Sequence, residues 1–249
     1  MNPILQQRSL GSWVTLGHPA IAEVMADAGF DWLAIDLEHS AITLRETEDL
    51  IRAIEGSGCI PLVRLSSNNP VQIKRVMDSG AHGVIVPMVN SEEEARAAVA
   101  AVKYPPIGKR SFGLARAQRY GNRFSEYIDW AAENTIVIVQ IEHIEAVKSI
   151  DQILAVSGVD GYFVGPYDLS GSMGIPGQFN DPDFIETMRR IRTAGVASGK
   201  PGGRHVVAPD PDELAKAFAE GEQFVAYGLD VMMLDKECRS AIQVKKVAE

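Results

Sequence analysis

Cysteine, positive charge and long apolar runs are all in short supply in this 249-residue chain. The two cysteines, Cys59 and Cys238, stand far apart in apolar contexts, without the close spacing of a metal or redox motif. Both read as buried thiols rather than as a disulfide. No apolar run approaches the roughly 20 residues of a membrane helix, and polar and charged residues interrupt the amino terminus before a secretory signal could form. The 24 Lys and Arg are outnumbered by 33 Asp and Glu, a net −9 that argues against nucleic acid or an anionic membrane as partner. A cytoplasmic location is the expectation. The chain also lacks a G-x-S-x-G elbow, a Walker-type loop and a glycine-rich phosphate fingerprint after its first strand. No repeat, low-complexity tract or linker divides it, so residues 1–249 are expected to form one domain, with 46% hydrophobic and 23% charged residues as in ordinary globular proteins.

Short apolar strands alternate with helical patterns along the chain, which indicates βα units and a parallel sheet. Strands are expected at Ser12–Leu16, Trp32–Asp36, Ile60–Leu65, Gly83–Pro87, Ile136–Ile141, Gly161–Val164, Pro201–Val207 and Gln223–Tyr227. Helices are expected at Ala20–Ala28, Leu44–Ser57, Pro70–Ser79, Glu92–Lys103, Glu145–Ala155 and Pro211–Glu220, with Val231–Ala248 as a closing helical tail. Asn69 and Ser91 are plausible caps, and three glutamates after Ser91 complement the helix dipole. Eight βα units in about 250 residues suit a (β/α)8 TIM barrel better than an open doubly wound sheet. Two segments break the rhythm, Tyr104–Ser125 and Gly165–Asp181, and both are expected on the carboxyl face, where barrel active sites sit.

The chemistry concentrates in residues 135–170. Ile136–Ile141 is a β-branched run whose alternation places Ile138, Gln140 and Glu142 on one face. Asp168 follows the next strand past Gly165 and Pro166, so two carboxylates are expected at neighbouring strand ends. Like charges that close raise each other's pKa unless a cation lies between them. All-oxygen ligation with room for water suits a hard divalent ion, against the bland alternative of one capping and one solvated acid. Asp36 ends the second strand and His39 follows in its loop, a pattern for a base held by a carboxylate or for plain surface decoration. Glu38, between them, reads as solvent-facing or as an acceptor behind the site. Arg64 shares a face with Leu62, which aims a guanidinium into the barrel. It is either a structural ion pair with a neighbouring strand's acid or a fork for a substrate carboxylate. A cation, a carboxylate clamp and a base at one mouth suit a 2-oxo acid and its enolate. A Schiff-base route needs a desolvated strand lysine, and Lys109, Lys148 and Lys200 fall in loops or helices.

The segments FDWLAIDLEH, PLVRL, GAHGVIVPMVNSEEEA, VQIE and GVDGYFVGPYDLSGSMG together resemble the HpcH/HpaI aldolase family, from about Gly11 to about Leu234. That resemblance implies a TIM-barrel class II pyruvate aldolase, in which Glu142 and Asp168 bind Mg²⁺, Mn²⁺ or Co²⁺. It further implies that Arg64 binds the pyruvate carboxylate, that His39, oriented by Asp36, is the acid/base, and that Gln140 lines the site. The backbone at Gly165, Pro166, Tyr167 and Asp168 would help hold the pyruvate carboxylate. Asp78 matches an aspartate that reaches a neighbouring subunit's site. Hexamers (trimers of dimers) are implied, the last helix packing on an adjacent subunit. The expected reaction is reversible cleavage of a 4-hydroxy-2-oxo acid, a sugar acid or a diacid, to pyruvate and an aldehyde. Oxaloacetate decarboxylation, or enolate coupling as in the related macrophomate synthase, is the alternative; a sensor barrel has no need of a base. Departures from the family pattern are Ser111-Phe112 and Tyr120 in the loop, VRL for V-R-P, and GGRHVV, which puts Arg204 and His205 near the mouth. That last pair reads either as a detector of a polar or acidic aldehyde or as a satisfied strand-end pair.

Overall fold

Eight largely buried strands, most of them apolar, form the centre of this computed structural model, which describes residues 3–247. They are β1 (Ser9–Val14), β2 (Trp32–Asp36), β3 (Ile60–Arg64), β4 (Gly83–Val86), β5 (Ile136–Ile141), β6 (Gly161–Val164), β7 (Gly202–Val206) and β8 (Phe224–Leu229). Each pairs in parallel with the next and β8 returns to β1, giving the closed (β/α)8 barrel expected. Strand alternation sorts the residues. Trp13, Trp32, Ala34, Leu62, Ile138, Phe163 and Phe224 fill the interior, while Val14, Leu33, Val63, Val139 and Tyr162 face the helices. Trp32 stacks on Phe224 at 4.2 Å and fits only because Gly11 lacks a Cβ, which would lie 2.0 Å from its ring.

The helices are α1 (Pro19–Asp27), α2 (Leu44–Gly56), α3 (Pro70–Asp78), α4 (Glu92–Val102), α5 (Phe124–Asn134), α6 (Ile144–Lys148), α7 (Ile150–Ala155), α8 (Pro166–Ser172), α9 (Pro182–Ser198), α10 (Pro211–Ala219) and α11 (Asp230–Val247). Thr43 and Glu46 form a reciprocal capping box on α2, and Asn69 and Ser91 cap α3 and α4 as expected. Among the described residues no helix is long and apolar enough to cross a membrane.

Several expectations are corrected. β1 begins three residues earlier than Ser12, at Ser9, and β8 runs on to Leu229. The helix expected over Glu145–Ala155 is two, broken at Ser149. Helices α5 and α9 were not expected. The Tyr104–Ser125 segment lies at the opposite end of the barrel from the mouth, because α4 has already carried the chain back. There Arg116 donates to the Ser79 carbonyl at 2.9 Å and reaches Glu55, both at carboxyl ends of helices. Gly165–Asp181 does sit on the carboxyl face, and α8 forms within it. Cys59 is buried but Cys238 is exposed on α11, because that helix stands off the barrel wall. Residue Ala248 of the expected tail lies outside the described residues.

Candidate active site

Parallel pairing sets Asp36 level with Arg64 across β2 and β3, both on the interior face. Arg64 donates through Nε to Asp36 Oδ1 at 2.9 Å and through Nη2 to Oδ2 at 2.6 Å, a bidentate fork. Oδ1 of Asp36 also accepts the backbone N–H groups of Glu38 (3.0 Å) and His39 (3.2 Å). Burial raises the Asp36 pKa, but the Arg64 hydrogen bond and charge and these two amides outweigh it, so its carboxyl titrates below the usual range. Nη1 of Arg64 has no partner among the described residues. The guanidinium lies over the buried Trp13 ring, 4.3 Å from its centroid. Trp13 was expected in a strand, not in the site; it is level with Ala34 and Leu62, one interior layer below Arg64, and a tryptophan at that interior position was the available signal.

Asp36 therefore orients the loop that carries His39, but through the backbone. The imidazole itself points to Glu38, with Nε2 3.7 Å from Oε2, and its side chain is 62% exposed. Glu38 also lies 3.5 Å from Arg64 Nε, and its Oε2 is buried without a hydrogen bond. Burial, with Asp36 and Asp168 as like charges, raises the Glu38 pKa against the pull of Arg64. Glu38 is thus part of the site rather than a surface residue.

Glu142 leaves the end of β5 almost wholly buried. Its Oε1 accepts the Met88 backbone N–H at 2.7 Å, and its Oε2 accepts from Gln140 Nε2. Met88 adopts φ 52°, a conformation uncommon for a residue with a side chain, and in doing so aims its amide at the carboxylate. Nothing in the sequence marked Met88. Gly165 supplies the space beside it: a Cβ there would sit 2.7 Å from Glu142 Oε2 and 3.1 Å from Gln140 Nε2. Burial first, then the charges of Glu38 and Asp168, push the Glu142 carboxyl up to about 7, against the Met88 amide and Gln140. Asp168 lies in the first turn of α8 and is exposed, close enough for its charge to act on both glutamates. Gln140 Oε1 is a buried acceptor with no partner.

These groups fit a divalent cation. An unpaired amide oxygen and two carboxylates, one of them reluctant to ionise alone, form an oxygen-only donor set. Among the described residues no cluster of three or more His, Cys, Asp or Glu is assembled as a metal cage. A cation held here keeps positions open for water and a ligand. The strands contain no lysine, as expected.

Asp78 is not brought to this mouth. It ends α3 at the far end of the barrel, where Arg110 Nη2 donates to it at 2.6 Å. Arg204 points outward, with Nη1 3.0 Å from Glu220 Oε2 and 2.9 Å from Glu222 Oε1, a satisfied pair. His205 points inward, its ring 5.8 Å from that of Trp13.

Arg64, Asp36, Glu38, Glu142, Asp168 and an exposed imidazole thus gather at the carboxyl ends of β2, β3, β5 and β6. The family model described as HpcH/HpaI aldolase/citrate lyase matches residues 9–236. A 4-hydroxy-2-oxo-heptane-1,7-dioate aldolase of Klebsiella pneumoniae subsp. pneumoniae is 44% identical over 232 residues, covering 90% of this chain and 84% of the relative. A 2-keto-3-deoxy-L-rhamnonate aldolase of the same organism is 39% identical over 233 residues, covering 91% and 85%. The crystal structure of an HpcH/HpaI aldolase/citrate lyase family protein from Burkholderia cenocepacia J2315 superposes with a TM-score of 0.91 at 32% identity, covering 96% and 95%. The chain belongs to the HpcH/HpaI aldolase/citrate lyase family, and it is a carbon–carbon lyase of the aldolase kind.

Proposed function

We propose that the protein is a class II aldolase that reversibly cleaves a 4-hydroxy-2-oxo acid to pyruvate and an aldehyde. The observation that carries this reading is the free Nη1 edge of Arg64, held rigid by Asp36 and Trp13 and facing the same mouth as Glu142 and Asp168. The structural and functional readings of Arg64 are compatible, because the ion pair uses Nε and Nη2 only. Nη1 then donates to the carboxylate end of the keto acid and to the C2 oxygen as it gains charge. The first-turn amides of α8, at Tyr167 and Asp168, have no intrahelical acceptor and face the same anion, with Gly165 and Pro166 setting their approach.

Glu142 and Asp168 would hold Mg²⁺, Mn²⁺ or Co²⁺, with Gln140 beside them, and the cation would supply Lewis-acid charge opposite the keto oxygen. In the cleavage direction His39 takes the proton of the C4 hydroxyl. The C3–C4 bond then breaks, its electron pair passes to the C2 enolate, and the aldehyde leaves. The enolate carbon regains a proton to give pyruvate. Glu38, beside the imidazole, holds that ring at the mouth. The assembly is proposed to be a hexamer, a trimer of dimers, in which Asp78 of one subunit approaches another's mouth and α11 packs on a neighbour. Free cysteines and an acidic surface suit the cytoplasm.

The test is cleavage assayed with pyruvate and a panel of aldehydes run in reverse, products read by mass. Chelator abolishes the reaction and Mg²⁺ or Mn²⁺ restores it; full activity in chelator overturns the assignment of Glu142 and Asp168. Faster turnover of oxaloacetate to pyruvate than of any aldol would instead make decarboxylation the main activity.

A further inference from the structure

Strand β1 carries Trp13 to the mouth, and its pairing with β8 slips just there. Gly11 is level with Ala226, but Trp13 is level with Leu229, so β8 bulges between the two pairs. Gly228, at φ 57°, makes that irregular turn, and a Cβ added to it would lie 2.9 Å from Met233 Cε. Directly after Leu229 the chain leaves the sheet and enters α11. The N–H groups that follow on the β1 side, those of Thr15 and Leu16, therefore have no further length of β8 to pair with.

Asp230 takes both. Its Oδ2 accepts the Thr15 N–H at 2.7 Å and the Leu16 N–H at 2.8 Å, while its Oδ1 accepts the Thr15 hydroxyl at 2.5 Å and the Val231 N–H at 2.8 Å. The residue is 5% exposed, and no cation among the described residues pairs with it, so these neutral donors compensate its charge. Capping α11 would need only the Val231 N–H; the other three donors belong to the loop between β1 and α1. Two residues before that loop's first tie stands Trp13, one interior layer below Arg64, with the guanidinium 4.3 Å above its ring. Asp36 fixes Nε and Nη2 of the arginine, and the ring beneath sets the tilt that aims the free Nη1.

We propose that Asp230 is a positioning residue for keto-acid binding: by pinning the carboxyl end of β1 it fixes Trp13 beneath Arg64, and with it the direction of Nη1. The claim rests on the aldolase reading, in which Nη1 receives the keto acid. Without the carboxylate, the two loop amides and the Thr15 hydroxyl turn to water, the end of β1 frays, and the ring loses its fixed height under the guanidinium. A displacement on the order of 1 Å weakens a charged hydrogen bond severely while the barrel stays folded.

The test follows exchange of pyruvate methyl protons with deuterium oxide by NMR in the Mg²⁺- or Mn²⁺-loaded protein, at varied pyruvate. In Asp230→Ala the pyruvate KM rises by roughly tenfold, the scale of one hydrogen bond to a charged group, while kcat falls by less. Asp230→Asn, which keeps one oxygen for the loop amides, recovers part of the loss. Thr15→Val, which removes only the hydroxyl, gives a smaller rise. A purely structural role would lower the fraction of active enzyme, and so kcat, at unchanged KM. That pattern, or a pyruvate KM that none of the folded variants moves, overturns the proposal. Should Asp230→Ala fail to fold, Asp230→Asn and Thr15→Val decide alone. Wild-type exchange with an unmoved KM in the variants defeats only the role of Asp230, whereas no wild-type exchange with metal present defeats the aldolase reading and this one with it.

Discussion

Asp36 is 1% exposed, so its negative charge is tolerated only while Arg64 and the two loop amides compensate it. Removing the guanidinium leaves a buried carboxylate unpaired. Arg64→Ala is therefore expected to lose about 3–5 kcal/mol of stability as well as all measurable cleavage. Removing both charges separates the two effects, since an apolar pair of similar volume carries no desolvation penalty. Asp36→Leu combined with Arg64→Met should recover most of the melting temperature and none of the activity. A double variant as unstable as Arg64→Ala would show that the pair is not what the stability depends on. At Glu142 the governing quantity is the proton. Its carboxyl, pushed up to about 7, must ionise before it can ligate a cation. Metal affinity should then weaken about tenfold per pH unit below 7 and level off above 8, read by calorimetry with Mg²⁺. The sign for stability is opposite in the metal-free protein. A carboxyl raised from 4.5 to about 7 favours the folded state below 4.5, and that contribution is lost as pH rises through 7. A metal affinity that stays flat between pH 5 and 8 would sink the assignment. Arg64, Glu142 and Asp168 were legible as residues because each ends an apolar strand or follows one closely. Trp13 and Met88 were not: one contributes a ring face and the other a backbone amide, neither of which a side-chain pattern announces.

The β6–α8 junction shows how elements hold those residues in place. Gly165 has φ −93° and ψ 94°, so an alanine fits its backbone without strain. The nearest atoms the added Cβ would meet belong to the Glu142 and Gln140 side chains. Gly165→Ala should therefore keep the barrel's melting temperature within a few degrees while metal affinity falls by at least about tenfold, because the carboxylate must swing away. A large drop in melting temperature at unchanged affinity would place the strain elsewhere. The strands themselves were legible to within a few residues, since a run buried on both faces is continuous in β-branched and apolar side chains. The helices were less so. Helix α9 was not expected although its end signals were present, with Asp181 capping Asp183 N–H, Pro182 in the first turn and Gly199 left-handed at its end. Helix α5 has no side-chain cap and buries only Tyr127 and Ala131, so its sequence blends into the arginine-rich loop before it. Reading that loop as part of the mouth failed for a topological reason: a segment that follows a helix emerges at the amino-terminal end of the barrel.

At the scale of the whole molecule, α11 is the element that one chain leaves unfinished. Its 18 residues reach about 27 Å, and it meets the barrel near its start, through β1 and β8. Beyond that root, Leu234, Ile242 and Val244 are 56%, 54% and 70% exposed. A helix of this length is marginal in water without a packed face, and apolar side chains at 231, 234, 238 and 242 recur at the spacing of one stripe. Asp78 does not reach its own mouth, yet it is held by a fully buried Arg110 side chain, a placement that suits the proposed assembly. If α11 docks on a neighbour, charge on that stripe should dissociate the assembly without unfolding the barrel. Leu234→Glu with Ile242→Glu is expected to shift the mass read by light scattering from a hexamer to a smaller species, with circular dichroism preserved. If Asp78 serves the neighbouring mouth, activity per chain should fall with that mass and recover in neither a dilute nor a concentrated sample. A wild-type protein that is already monomeric removes both claims, whereas a double variant that stays hexameric removes the docking role of α11.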